Sequence, residues 1–166
     1  MDNPKEIILG IDPGYGRMGF GVIEKSGGKD WISLDYGCLE TPVNGDFTER
    51  LKIVSEKIQE IIEKYQPTRM ALEDLFFFKN AKTAIKVGQV RGAMMLIATQ
   101  NNLPVDEFTP LQVKQAITGY GRAEKKQMQK IVAVILKIKE EIVSDDAADA
   151  LAVALCAGQS LWIKRV

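Results

Sequence analysis

The stretch Glu6-Ile-Ile-Leu-Gly-Ile-Asp12-Pro-Gly14 decides how this chain folds. An apolar run of this length that stops at Pro-Gly is typical of a buried β-strand followed by a turn. We therefore expect a first strand over residues 6–12. Asp12 would be its last residue and would stand at the carboxyl end of the strand.

The pattern downstream of this strand predicts an α/β domain. Strands 18–24 and 31–39 are separated by Gly27-Gly28, so the first three strands should be antiparallel. Apolar residues then recur at helical spacing over residues 46–65, and Pro67 ends that helix. Strands and helices alternate from there, with strands at 69–73 and 104–108 and helices at 80–100, 110–118, 125–137 and 144–158. We predict one domain over residues 1–166, with a mixed five-stranded sheet of three antiparallel strands plus parallel strands, flanked by helices.

Composition excludes several classes of protein. The 166 residues are 46% hydrophobic and 27% charged, enough for one domain with a real core and too apolar for intrinsic disorder. No run approaches the 18–20 apolar residues of a membrane span, and the apolar run at residues 7–11 is too short for a signal peptide. Cys38 and Cys156 show neither disulfide nor metal-ligand spacing, which favours a cytoplasmic protein. The chain has no histidine, which excludes histidine-based nucleophile activation and histidine zinc sites.

The zero net charge conceals a segregation along the chain. Residues 1–74 carry a net charge of −5, residues 75–139 carry +8, and residues 140–166 carry −3. A basic middle segment of this size indicates an anionic partner, although lysines that only solvate helix faces would give the same pattern.

Four acidic residues stand where this fold would gather them. Asp12 and Glu73 each end a strand, whereas Asp146 and Asp149 share one face of the last helix. Because crowded carboxylates repel one another, Mg²⁺ or Mn²⁺ would stabilise such a cluster. Two ions about 3.5–4 Å apart activate a water and stabilise the leaving oxygen in phosphodiester hydrolysis. Taken singly, the acids have ordinary explanations: a turn residue before Pro-Gly, a strand-end acid, or helix caps at Asp145 and Asp146.

Two basic groups fall in the middle segment, and both are candidates for contacts to DNA phosphates. The first comprises Lys79, Lys82 and Lys86, with Arg91 further on in the same helix, and the second comprises Lys114, Arg122, Lys125, Lys126 and Lys130. The triplet Phe76-Phe-Phe78 precedes the first group, and at least one of its rings should be exposed to stack on or between bases. Phe77 and Phe78 could equally anchor a loop in the core. The apolar run 93–98 covers every side of its helix, so a neighbouring helix or a second copy of the chain should cover part of it.

Six short motifs occur in an order typical of one family. They are Ile-Leu-Gly-Ile-Asp12-Pro-Gly, Leu-Glu73-Asp-Leu-Phe76 with Lys79-Asn-Ala, Lys86-Val-Gly-Gln-Val-Arg-Gly92, Gln112-Val-Lys114-Gln, Ala123-Glu-Lys125-Lys-Gln, and Asp146-Ala-Ala-Asp149-Ala-Leu-Ala. With these motifs the sequence resembles the RuvC-type Holliday junction resolvases from about residue 6 to residue 160. The resemblance implies an RNase H-like fold, a homodimer, and Mg²⁺-dependent incision of paired strands at a four-way DNA junction during recombination and repair. It also implies the RuvA–RuvB branch-migration machine as a partner.

The resemblance assigns roles residue by residue. It implies that Asp12, Glu73, Asp146 and Asp149 are the metal-binding catalytic acids, with two ions in each active site. Lys114 and Lys125 match family lysines at the DNA and the active site, and Phe76 matches the aromatic residue near the junction centre. The complete set expected at the DNA is Phe76, Lys79, Lys82, Lys86, Lys114, Lys125 and Lys126.

Three other functions compete with this interpretation. RuvX-type RNA-processing nucleases share the fold and an Ile-Asp-x-Gly start, but they are shorter and lack the block at residues 76–91. Sugar kinase-like proteins also open with a strand that ends in Asp and Gly, but they need two such domains. A junction-binding protein without catalysis remains if one of the four acids is misplaced.

Overall fold

The sheet is built around the strand that opens the chain. The computed structural model describes residues 5–25, 27–28, 30–74, 80–122 and 124–163. Its five strands lie in the order β3-β2-β1-β4-β5, with β1 in the middle, antiparallel to β2 and parallel to β4. The strands are β1 (Glu6–Asp12), β2 (Arg17–Lys25), β3 (Ile32–Glu40), β4 (Arg69–Glu73) and β5 (Val105–Phe108). The mixed sheet predicted from the sequence is confirmed, since β2 and β3 are antiparallel and β4 and β5 are parallel.

Five helices flank the sheet close to where the sequence predicts them. They are α1 (Phe47–Tyr65), α2 (Ala81–Gln100), α3 (Pro110–Thr118), α4 (Lys125–Ile135) and α5 (Asp145–Ile163). The largest difference is the end of α5, which continues beyond the predicted stop at Gly158. This glycine lies inside the helix and packs against the Trp31 ring, so it serves close packing and does not end the helix.

The helices form one layer on each face of the sheet. Helices α1 and α2 cover one face with residues such as Val54, Ile58 and Met94. Helices α3, α4 and α5 cover the other, where Leu151 and Leu155 are fully buried. Burial on both faces explains why β1 is an uninterrupted apolar run. Within the described ranges, no helix combines the length and apolar character needed to cross a membrane.

A close contact between α5 and β2 sets the position of the last helix. A Cβ atom at Gly19 would overlap the carbonyl oxygen of Asp146, so this contact requires glycine. Gly19 is also the residue that pairs with Asp12 across the β1–β2 ladder. The first turn of α5 therefore lies on the sheet next to the end of β1.

We expect Gly19→Ala to destabilise the protein by about 1–3 kcal/mol, because the added methyl group must push α5 away from the sheet. Gly45→Ala is the control, because Gly45 lies outside the helices and strands and a Cβ there would meet no atom closer than 3.4 Å. Urea denaturation of both variants measures the effect. Equal stabilities for the two variants would contradict this account of α5 packing.

Candidate functional site

Two of the predicted acids meet at the carboxyl ends of β1 and β4. The strands are parallel neighbours, and Ile11 pairs with Leu72, so the next residues, Asp12 and Glu73, leave the sheet side by side. Their carboxyl groups share a hydrogen bond. The pair therefore follows directly from the strand register.

Helix α5 brings the other two acids to the same edge. Asp146 and Asp149 lie in its first turns, above the Gly19 contact. Ser144 Oγ accepts a hydrogen bond from the Ala147 N–H at 3.3 Å, so a serine and not Asp146 caps this helix end. The carboxylate of Asp146 is thereby left for other partners.

Burial and mutual repulsion raise the pKa values of three of these groups. Desolvation, followed by the charges of Glu73, Asp149 and Asp146, raises the pKa of Asp12 to about 8. Desolvation and the charge of Asp149 also raise the pKa of Glu73, and desolvation raises that of Asp149. In the metal-free protein the raised pKa of Asp12 favours its protonated form, which donates a hydrogen bond to Glu73.

Two predicted lysines lie beside these acids. Lys125 Nζ is 3.2 Å from Asp149 Oδ2 and 3.3 Å from Asp145 Oδ2. Lys114 and Lys125 both lower the pKa of Glu73 and oppose its desolvation. With Glu73 and Asp149 the two lysines line a cleft of about 220 Å³. Acids and cations thus share one concave surface.

Arg17, which sequence reasoning missed, holds the fourth acid. Its Nε lies 3.0 Å from Asp146 Oδ2, and the Cys38 thiol donates a weak hydrogen bond to the same oxygen at 3.6 Å. Arg17 is the first residue of β2, and the β1–β2 hairpin carries it back past the end of β1. Only this hairpin register could have revealed it, because Arg17 lies in the net acidic part of the sequence.

The donor chemistry at this edge fits a divalent cation. Among the described residues, no three histidine, cysteine, aspartate or glutamate side chains are grouped as a ready metal cage. Arg17 and Lys125 instead pair with Asp146 and Asp149. Burial and then the charges of the neighbouring acids raise the pKa of Asp12, and a hard cation with oxygen ligands would stabilise its ionised form.

The remaining predicted DNA-binding residues are spread over α2, α4 and the segment before α2. Lys82 and Lys126 are exposed, whereas Lys86 is half-buried over two aromatic rings. Phe76 and Lys79, together with Phe77 and Phe78, lie outside the described residues.

Arg91, which follows the basic stripe in the sequence of α2, has a different environment from the lysines. Its side chain is only 12% exposed and pairs with Asp74, at 3.2 Å, and with Glu107. Arg91 therefore ties α2 to the ends of β4 and β5 and is not presented to DNA.

Comparisons with known proteins agree with this geometry. The family model described as crossover junction endodeoxyribonuclease RuvC matches residues 8–157. Crossover junction endodeoxyribonuclease RuvC of Petrotoga mobilis is 49% identical over 152 residues, which cover 92% of this chain and 93% of the relative. The protein of the same name from Halothermothrix orenii is 48% identical over 159 residues, 96% of each chain. A solved structure of T. thermophilus RuvC in complex with Holliday junction substrate superposes with a TM-score of 0.90 at 31% identity, covering 96% of both chains. The RNase H-like fold expected from the sequence is confirmed.

The electrostatic cost of the acid cluster predicts a pH-dependent stability. The folded-state pKa of Asp12 lies above its ordinary value of 3.8. Below about pH 4 the group is protonated in both states and does not oppose folding, whereas the free energy of unfolding decreases as the pH rises from 4 towards 8. Asp12→Asn removes this charge. Without divalent ions, we expect the variant to exceed the wild type at pH 8 by a few kcal/mol, since a tenfold change in proton affinity corresponds to about 1.4 kcal/mol. The advantage should disappear near pH 4.

Asp46→Asn is the control, because Asp46 is exposed and its side chain makes no capping hydrogen bond. Urea denaturation between pH 4 and 8 measures both variants. A pH-independent difference between Asp12→Asn and the wild type would show that the Asp12 charge does not strain the fold.

Proposed function

The chain belongs to the RuvC family of crossover junction endodeoxyribonucleases, and from this premise we propose how its residues cut a four-way DNA junction. The observation that carries the proposal is the convergence of Asp12 and Glu73 with the two acids of α5, beside a cleft lined by two lysines. Acids that can hold metal ions, beside cations that can contact a phosphate, are the groups that phosphodiester hydrolysis requires. No observation favours the RuvX-type or sugar kinase-like alternatives.

The four acids are proposed to hold two Mg²⁺ ions, for which Mn²⁺ substitutes. When bound, such a pair of ions activates the attacking water and offsets charge on the leaving oxygen. Asp12 would lose its proton on binding, because a cation would offset both the burial and the repulsion that raise its pKa. Glu73, Asp146 and Asp149 complete an all-oxygen ligand set, which suits hard cations.

The basic side chains that pair with the acids would take a second role after these ion pairs break. Lys125 and Arg17 are 52% and 57% exposed, and pairs this exposed contribute little to stability. Their side chains can therefore leave Asp149 and Asp146 at low cost. Lys125, with Lys114 across the cleft, would then offset the charge that develops on the scissile phosphate.

DNA binding is proposed to extend from this cleft over α2 and α4. The exposed Lys82 and Lys126, together with Lys86, provide point charges for the phosphate backbone. Phe76 and Lys79 are proposed at the junction centre, with Phe76 as the side chain that separates bases.

We propose a homodimer in which α2 takes part. Ile85 and Leu96 are 64% and 58% exposed, and a Cβ at Gly92 would meet open space. At spacings of seven and four residues, these three form one outward-facing stripe. Two active sites related by a two-fold axis suit a two-fold junction, so paired nicks follow from the symmetry.

The cellular setting is also part of the proposal. The reaction would take place in the cytoplasm during recombination and DNA repair, with residues 1–166 acting as one nuclease domain. The RuvA–RuvB complex stays a prediction that follows from the resemblance alone.

Each of Asp12→Asn, Glu73→Gln, Asp146→Asn and Asp149→Asn should slow junction cleavage by at least about 100-fold. Junction binding should persist, because the lysine contacts to phosphate are unchanged. Glu56→Gln on α1 is the control, since this exposed acid pairs with Lys52 away from the site.

Cleavage and gel-shift assays on a mobile four-way junction, a duplex and an RNA–DNA hybrid, with and without Mg²⁺, measure these effects. Near wild-type cleavage by any one variant would remove that acid from the site. A wild-type protein that binds junctions but never cuts them would be the non-catalytic binder considered above.

The dimer is tested with Leu96→Glu. The wild type should sediment with a mass near twice 18.4 kDa at micromolar concentration, and the variant as a monomer, because the charge would be buried in the interface. Val134→Glu on α4 is the control, since Val134 is 78% exposed. A wild-type monomer that still makes paired nicks would contradict the dimer.

A further inference from the structure

A second group of cations surrounds the turn that follows β1. Tyr15 lies in this turn, three residues after Asp12. The guanidinium carbon of Arg50, on α1, lies 4.9 Å from the centre of the Tyr15 ring. Lys86 Nζ, on α2, lies 5.2 Å from the same ring centre and 5.5 Å from that of Phe47. Two helices thus deliver positive charges to one aromatic ring.

These two cations lack an acidic counterpart. Across the part of the chain that the structure describes, neither Arg50 nor Lys86 forms an ion pair with a carboxylate. The Tyr15 ring offers each of them a cation–π contact, which is a weaker partner for a positive charge than a carboxylate would be. An anion bound near this ring would be attracted by both charges.

Arg50 is oriented by hydrogen bonds that leave part of its guanidinium group free. Its Nε donates to Thr41 Oγ1 at 2.8 Å, and the Thr41 hydroxyl donates to the Tyr15 carbonyl oxygen at 2.6 Å. Thr41 is buried, so this relay fixes both the arginine and the turn. Over the described ranges, the terminal nitrogens of Arg50 donate no hydrogen bond, although one packs against Gly16. They remain available for a ligand.

The location of this group points to the identity of the anion. Tyr15 and Phe47 pack on the face of the sheet covered by α1 and α2. Lys114 and Lys125 lie on α3 and α4, which cover the opposite face. The acids at the ends of β1 and β4 therefore have a basic group on each side. A DNA strand that crosses this edge would meet both groups.

We propose that Arg50 and Lys86, held over the Tyr15 ring, form a phosphate-binding site for the DNA strand on the α1–α2 side of the active site. The proposal rests on the proposed function and extends it with Arg50 and Tyr15, which the sequence did not single out. As a phosphate site it would bind the DNA backbone and give no sequence preference, because contacts to phosphate carry no sequence information.

Variants that remove the positive charge and a variant that keeps it distinguish a role in phosphate binding from a role in holding the turn. Lys86→Gln and Arg50→Gln each remove one positive charge, whereas Arg50→Lys keeps the charge and loses the guanidinium geometry. Lys52→Gln is the matched control, because Lys52 lies one half-turn from Arg50 on α1, is 73% exposed and pairs with Glu56. Affinity for a four-way junction and for a linear duplex is measured in EDTA at several salt concentrations, and melting temperatures are recorded.

We expect Arg50→Gln and Lys86→Gln each to weaken binding about threefold or more and to reduce the slope of log affinity against log salt by about 0.9, the value for one lost phosphate contact. Arg50→Lys should keep the wild-type slope, and Lys52→Gln should match the wild type in both respects. The losses should be equal for two junctions of different sequence.

Unchanged slopes for Arg50→Gln and Lys86→Gln would overturn the site. It would also be overturned if both Arg50 variants lost affinity and melting temperature together with no change in slope, since Arg50 would then only brace the turn. Salt slopes measured on the linear duplex test the phosphate site independently of the proposed junction cleavage. Failure of the wild type to prefer or cut the junction would contradict the proposed function, while the duplex slopes would still decide the phosphate site.

Discussion

The contact of α5 with the sheet at Gly19 is the constraint on which the site depends. The helix backbone takes the space of a side chain there, and Gly19 pairs with Asp12. Because Asp146 is the residue in contact and Asp149 lies one turn further, both helix acids come to the end of β1.

This convergence has an energetic cost that the protein manages with its own cations. The pKa of Asp12 rises to about 8 because the group is desolvated and faces other carboxylates. Arg17 and Lys125 offset part of the negative charge from outside, through exposed pairs that are easily broken. Without metal the carboxylates of the site therefore repel one another, and relief of this repulsion would favour cation binding.

Positively charged side chains lie on both sides of the acids at this edge of the sheet. Lys114 and Lys125 stand on one side of the acids, and Arg50 and Lys86 on the other. A polyanionic strand would be attracted to both flanks and would need bound cations only at the centre, where it meets the carboxylates. In this arrangement the flanks would bind the strand and the acids would carry out the chemistry.

Local patterns determined much of this protein from the sequence alone. The apolar run before Asp12 predicted the central strand, the change of period predicted α1, and the ordered motifs identified the family. The role of the four acids stays a prediction from the resemblance. Only the tertiary structure decided what each charge faces. Arg91 and Lys86 are both basic residues of α2, and the sequence does not distinguish their environments. Arg91 is buried in ion pairs with Asp74 and Glu107, whereas Lys86 contacts the Tyr15 ring. Ion pairing and burial depend on distances between elements far apart in the chain, and periodicity contains no such distances.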